Sequence, residues 1–373
     1  MKLHRLILCL LMIFLLAACG EPVEAPTEPP VTTAPPTTRP PTTVPTQPTE
    51  PPDDFVPDGN VNPLTGLCDG IPDTALGVRP VAIMVSNSKD SLPQWGISQA
   101  DIVWEMLAEG RITRFLAIFQ DPTKIDKLAS IRSARPYYID IAQSYGAVYM
   151  HFGWSEPARL TIAARSDLVS INGLSWWEGV LFFRDPDRRK ALGMEHSVYT
   201  AGEFMASALE RLDKPMELED TPSAFKFATQ HSALTGERAD KVTITFSSVH
   251  KPWFEYDATL GVYRRWQYGD PHMDAYLDKQ IECKNLLILR MELTDVPNSS
   301  LKLVEVDTTG EGDGLYFCEG KYVPITWKKD AYNTPITFYT EDGKELICTR
   351  GQSFVSVMTT TADLEIEVLN AAD

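Results

Sequence analysis

Charged side chains crowd one apolar stretch of the chain. Between residues 100 and 156, Glu105, Glu109, Arg111, Arg114, Arg132, Arg135, Asp140 and His151 are interleaved with runs such as IVWEML and RFLAIF. Runs of that kind leave water on folding, and a charge buried with them needs a counter-charge, hydrogen bonds or a ligand. Arg132 and Arg135 bracket Ser133 at the start of an expected helix, where free N–H groups and the helix dipole already present positive character. Cations placed there call for something negative: the carboxylates of Glu105 and Glu109, or a phosphate or carboxylate ligand. The expected anion-binding set is Arg114, Arg132, Ser133, Arg135, His151 and Arg184.

Acid/base hydrolysis is a second chemistry for the same stretch. His151 closes an expected strand, and Glu105, Glu156, Asp185 and His196 are its candidate orienters or second acids. The sequence holds no nucleophile elbow and no HExxH spacing to support it. No metal centre and no cofactor are expected. His151 and His196 lack close ligand spacing, and the acidic run DTTGEGDG at 307–314 lacks the ligand periodicity of an EF-hand and reads as a β connection. Trp253, Trp266 and Trp327 suit a β core better than a sugar platform.

These residues need elements to hold them. Residues 81–85 form an apolar, β-branched run, and 102–108 and 112–119 alternate around Gly110-Arg111 as an antiparallel hairpin. A two-residue turn there sets Leu107 opposite Arg114, with Glu105 and Glu109 diagonal to that arginine; one helix over 98–109 is the competing reading. Ser133 as cap and Pro136 predict a helix to residue 145, stopped by Gly146. A strand over 147–152 and a helix from Glu156-Pro157 to 165 follow, which makes an α/β layer whose ligands collect beyond the strand ends. Thr200 with Glu203 reads as a capping box for a helix to 212. Beyond Phe225 the chain reads as strands, at 242–246, 262–266, 286–291, 301–306, 315–318, 336–339, 346–349 and 354–358. The expected fold class is therefore α+β or α/β: a mixed α/β domain over 59–217, then a mostly antiparallel β-rich domain over 218–373.

The first residues give an address. Lys2 and Arg5 precede a short apolar run over 6–16, and Leu16-Ala17-Ala18-Cys19 closes it as a bacterial lipobox. The run is too short to span a bilayer as a helix. Residues 1–18 are thus expected as a signal peptide and Cys19 as the lipidated residue, with the chain held on the outer face of the bacterial cytoplasmic membrane. Residues 20–58 are almost wholly Pro, Thr and acid. That composition cannot offset its ordering entropy and favours an extended stalk, on the order of 100 Å if fully stretched. A net charge of −17 excludes a nucleic-acid partner, because phosphate contacts need clustered Lys and Arg. Of the four cysteines left in the folded part, Cys68, Cys283, Cys318 and Cys348, the last two sit in strand-like runs and are the expected pair, with buried free thiols as the alternative.

Several runs carry a family resemblance: NPLTGL at 62–67, RPVAIMVSN at 79–87, SQADIVWE at 98–105, ITRFLAIFQ at 112–120, IRSARPYYIDIA at 131–142 and FFRD at 182–185. Together they resemble the DUF3048, or YerB-like, family of bacterial lipoproteins over the whole chain after the stalk. The resemblance implies an envelope lipoprotein of two conjoined domains and assigns no activity. The chain departs from it at Met194-Glu195-His196-Ser197, where a Pro-His-Asn-like run is usual. Three functions follow as expectations: a binding lipoprotein for an anionic cell-wall or phosphorylated ligand, an envelope hydrolase built on His151, and a scaffold for a protein partner.

Overall fold

The computed structural model describes residues 56–218, 222–229 and 233–369, so the expected signal peptide, Cys19 and the stalk up to residue 55 lie outside the described residues. Every residue of Val81–Ser86, Ile102–Leu107 and Thr113–Phe119 is buried. Continuous burial rather than alternation means that both faces of these strands are covered. They form the middle of an eleven-stranded mixed sheet. On one side the parallel strands Val148–His151 and Ser170–Asn172 continue it. On the other, Ile102–Leu107 pairs in parallel with Ser353–Thr359, which pairs in parallel with Asn285–Met291. Gly310–Cys318 and Lys321–Lys329 extend that side antiparallel. The N-terminal half is α/β and the C-terminal half β-rich, as expected, and the sheet crosses residue 217/218 without a break.

The hairpin differs from expectation by one residue. Its loop is Glu109–Arg111, with both Gly110 and Arg111 at positive φ, and Ala108 N–H donates to Ile112 O at 2.7 Å. The three-residue loop sets Leu107 opposite Thr113, Met106 opposite Arg114 and Glu105 opposite Phe115. A slip of one residue turns side chains to the other face. Glu105 and Arg114 therefore point to opposite sides of the sheet and do not pair.

Three other expectations are corrected. The helix Pro136–Ser144 begins after Arg135 with no side-chain cap, because the Ser133 hydroxyl donates to Phe152 O at 3.1 Å instead. Thr200 makes no capping box: it ends the strand Val198–Thr200, its hydroxyl donates to Leu181 O, and the helix Gly202–Leu209 starts later. All four cysteines are free thiols, so Cys318 and Cys348 form no bridge; both are buried, and the Cys318 thiol lies 3.3 Å from Thr349 Oγ1. The strand Lys321–Lys329 was hidden by Pro324. That proline falls between the outer neighbours of the strand, Glu237–Arg238 on 321–322 and Thr337–Thr340 on 325–328, where no ladder needs its missing N–H.

Candidate functional site

The arginines around the helix mouth divide into a closed group and an open one. Arg114 and Arg135 share one carboxylate: Glu109 takes Arg114 on Oε1 and Arg135 Nη2 on Oε2 at 2.6 Å. Their remaining bonds go to the Ser133 and Ala134 carbonyls. Burial alone raises the Glu109 carboxyl, but the two guanidiniums outweigh it and hold it down at about 2. Arg114 is 2% exposed and Arg135 5%, so neither presents a face to solvent. They brace the hairpin loop against the helix, and their expected place as direct ligand contacts is corrected accordingly.

Arg132 and Arg184 form the open group. Arg132 Nη1 donates to Glu195 O at 3.0 Å and Arg184 Nη1 to Met194 O at 2.7 Å, so the two guanidiniums hold consecutive carbonyls of the turn Met194–His196. Their carboxylate partners are in water: Glu195, 3.3 Å from Arg132, has a side chain 68% exposed, and Glu178, 2.8 Å from Arg184, one 43% exposed. Among the described residues, these four arginines pair with three glutamates, Glu109 serving two of them. The Arg184 guanidinium also lies 5.0 Å from the Phe152 ring centroid, which joins this group to the end of the strand Val148–His151. Ser133 is beside them, its hydroxyl 3.2 Å from where a side chain on Gly153 would begin.

His151 is fully buried. Its Nδ1–H donates to Gly153 O at 2.7 Å, which leaves Nε2 to accept from the Ser170 hydroxyl at 3.0 Å. Burial pulls its pKa down to about 4 although the Gly153 carbonyl opposes this, so the ring is neutral at pH 7. None of the carboxylates expected beside it is hydrogen-bonded to it. Glu156 is exposed and pairs with Arg159; Asp185 accepts Arg188 N–H at 2.8 Å as the cap of the helix Pro186–Leu192. His196 is buried, its ring Nε2 lies 3.4 Å from the exposed Glu195, and its carbonyl accepts from Ser130 and Arg188. No carboxylate among the described residues is hydrogen-bonded to the His151 ring. Among the described residues no cluster of metal-ligating side chains occurs.

Glu105 belongs to a network that the sequence did not reveal. Both of its oxygens receive Arg265 Nη2, at 2.9 and 3.0 Å, and Thr113, Asn87 and His250 surround the same carboxylate. Arg265 Nη1 donates to Gln267 and to His272 Nδ1, and His272 Nε2–H reaches Gln94. Glu105 and Arg265 are wholly buried. Burial raises the Glu105 carboxyl, but Arg265, then His250 and Thr113, overcome it and leave it below its ordinary value. The sign of this site was a basic residue on the buried parity of a strand: Tyr263, Arg265 and Gln267 alternate inward along Val262–Gln267. A second missed contact joins two of the resemblance runs, for Asn62 Nδ2 donates to Asp101 Oδ1 at 2.9 Å. Burial pushes the Asp101 carboxyl up to about 7 against the hydrogen bonds from Gln120 N–H and Asn62.

The two parts of the chain that carry these contacts match known sequence families. Models of the N-terminal and C-terminal domains of DUF3048, described as a protein of unknown function, match residues 64–215 and 242–355. The chain belongs to the DUF3048 family. YerB of Bacillus subtilis (strain 168), which is described as a lipoprotein, is 29% identical over 299 residues, or 79% of this chain and 85% of that protein. The crystal structure of YerB from Bacillus subtilis superposes with a TM-score of 0.70 at 28% identity, covering 82% of this chain and 99% of that one. This DUF3048 chain therefore shares both halves of the YerB architecture. No described helix is long and apolar enough to cross a membrane.

Proposed function

We propose that this is a lipid-anchored binding protein of the bacterial envelope, held on the outer face of the cytoplasmic membrane through Cys19, with residues 20–58 as its stalk. Its folded part takes an anionic ligand, a peptidoglycan fragment or a phosphorylated compound, at Arg132, Ser133 and Arg184. The lipobox ending at Cys19 and the lipoprotein description of the relative support the anchor. One observation carries the binding: two guanidiniums converge on one turn while their carboxylate partners stay in water, where an incoming carboxylate or phosphate can replace them. Arg114 and Arg135, with Glu109 between them, fix the helix mouth behind this site.

Thermal melting of the purified protein with muropeptides, and separately with phosphate compounds, tests the proposal. Ligand at a hundredfold its Kd stabilises the folded state by about 2.7 kcal/mol and raises Tm. Arg132→Ala is expected to abolish that rise. No rise with any of these compounds ends the anion reading in favour of a scaffold, for which a pull-down returns one protein partner that Arg132→Ala still captures.

A further inference from the structure

The surface next to Arg132 and Arg184 carries bare aromatic and aliphatic faces. The parallel strands Val148–His151 and Ser170–Asn172 end side by side, with His151 paired to Asn172. Their loops are tied together, for Gly153 N–H donates to Asn172 Oδ1 at 2.9 Å and Gly173 N–H to His151 O at 2.8 Å. From these two loops project Trp154, 40% exposed, Leu174, 61%, and Trp176, 59%. The Trp176 ring is not loose: it stacks on the buried Trp177 with centroids 3.9 Å apart. The next residue, Glu178, is the one that grips Arg184, so the aromatic loop and the open guanidinium are one unit.

Fixed indoles in water lose little rotamer freedom on binding and offer a flat apolar face, whereas the guanidiniums offer directed donors. A ligand that matches both has apolar faces bounded by polar groups and one acid. A pyranose has that make-up: its axial C–H bonds pack on an indole and its hydroxyls lie at the rim. The guanidiniums add the requirement of a carboxylate or phosphate substituent. We infer that the loops at Trp154 and Trp176, together with Arg132 and Arg184, form a subsite for an acidic saccharide. This rests on the anion site proposed above and gives its ligand a chemical class.

Isothermal titration of the full chain tests it with three probes: a disaccharide containing N-acetylmuramic acid, the matching disaccharide of N-acetylglucosamine without the acid, and sodium lactate. The acidic sugar is expected to bind at least tenfold more tightly than either of the others. Trp176→Ala and Arg132→Ala are each expected to weaken it at least tenfold, with Tm nearly unchanged because Trp176 is exposed and the Arg132 bonds lie at a solvated edge. Equal binding of lactate, untouched by Trp176→Ala and by Trp154→Ala, overturns the saccharide subsite and leaves the anion site standing. Equal binding of the neutral sugar, untouched by Arg132→Ala, overturns the acid requirement at both levels. Binding of none of the three removes the saccharide subsite.

Discussion

Two arginine clusters lie in this fold and differ in what surrounds them. Arg265 is wholly buried, bonded to both oxygens of Glu105, and set among the Phe115, Phe254 and Phe354 rings at 5.3, 5.8 and 5.5 Å from their centroids. Arg132 and Arg184 keep one side toward water, and their glutamates are exposed. In a low dielectric the first pair cannot exchange its counter-charge for water, so it fixes the strand Val262–Gln267, which belongs to a separate six-stranded sheet, against the hairpin strand Ile102–Leu107. The open pair exchanges partners at little cost, because water solvates whatever is released. The same side chain therefore fixes structure in one place and is available for recognition in the other, and burial of the partner carboxylate separates the two.

Breaking the sealed pair has the largest expected effect. Arg265→Leu leaves the Glu105 carboxylate buried without its main counter-charge, at a cost on the order of 3–5 kcal/mol measured by urea denaturation. Adding Glu105→Met to it removes the orphaned charge and is expected to return most of that stability. A double variant no more stable than the single one shows that Asn87, Thr113 and His250, not the Arg265 charge, set the cost.

Acid separates the clusters next. The folded-state value of Glu109 is depressed to about 2, so its contribution is fully present above its ordinary value and lost as pH falls from about 4.5 through about 2. Its size is on the order of 3 kcal/mol. His151 is depressed to about 4, and its contribution is lost earlier, as pH falls from about 6.5 through about 4. Asp101, raised to about 7, contributes with the opposite sign over the upper window, so each loss is read as the difference in unfolding free energy between wild type and variant from pH 7 to pH 3. Glu109→Gln is expected to lessen the decline below pH 4.5, leaving the share of Glu105, whose carboxyl is also depressed, and a variant that keeps the full decline there removes Glu109 as a source.

What the sequence conveyed depended on whether a signal was local. The strands at 81–86, 102–107 and 113–119, the helix after Arg135 and the helix after Ser155 announced themselves through β-branched runs, prolines and caps. Arg132 and Arg184 meet at one turn, Met194–His196, because each sits near the end of an element adjacent to it. Glu105 was assigned the wrong partner for a geometric reason. A loop of three residues instead of two reverses which face it occupies, and its true partner lies 160 residues away on a strand of the other half. Trp154 and Trp176 passed unnoticed because exposure of a tryptophan is a tertiary fact that hydrophobic patterning cannot display.

The smallest expected change in stability is also the one that tests the open cluster most sharply. Arg132→Ala removes two bonds to Glu195 Oε2 and one to Glu195 O, all at a solvated edge, and costs less than about 1 kcal/mol. The unliganded Tm therefore stays nearly fixed while the rise caused by an acidic ligand disappears. A fall in stability as large as that of Arg265→Leu shows instead that Arg132 secures the turn Met194–His196 as a structural element. The contrast between a sealed and an open arginine then fails, and the protein is better described as a framework throughout.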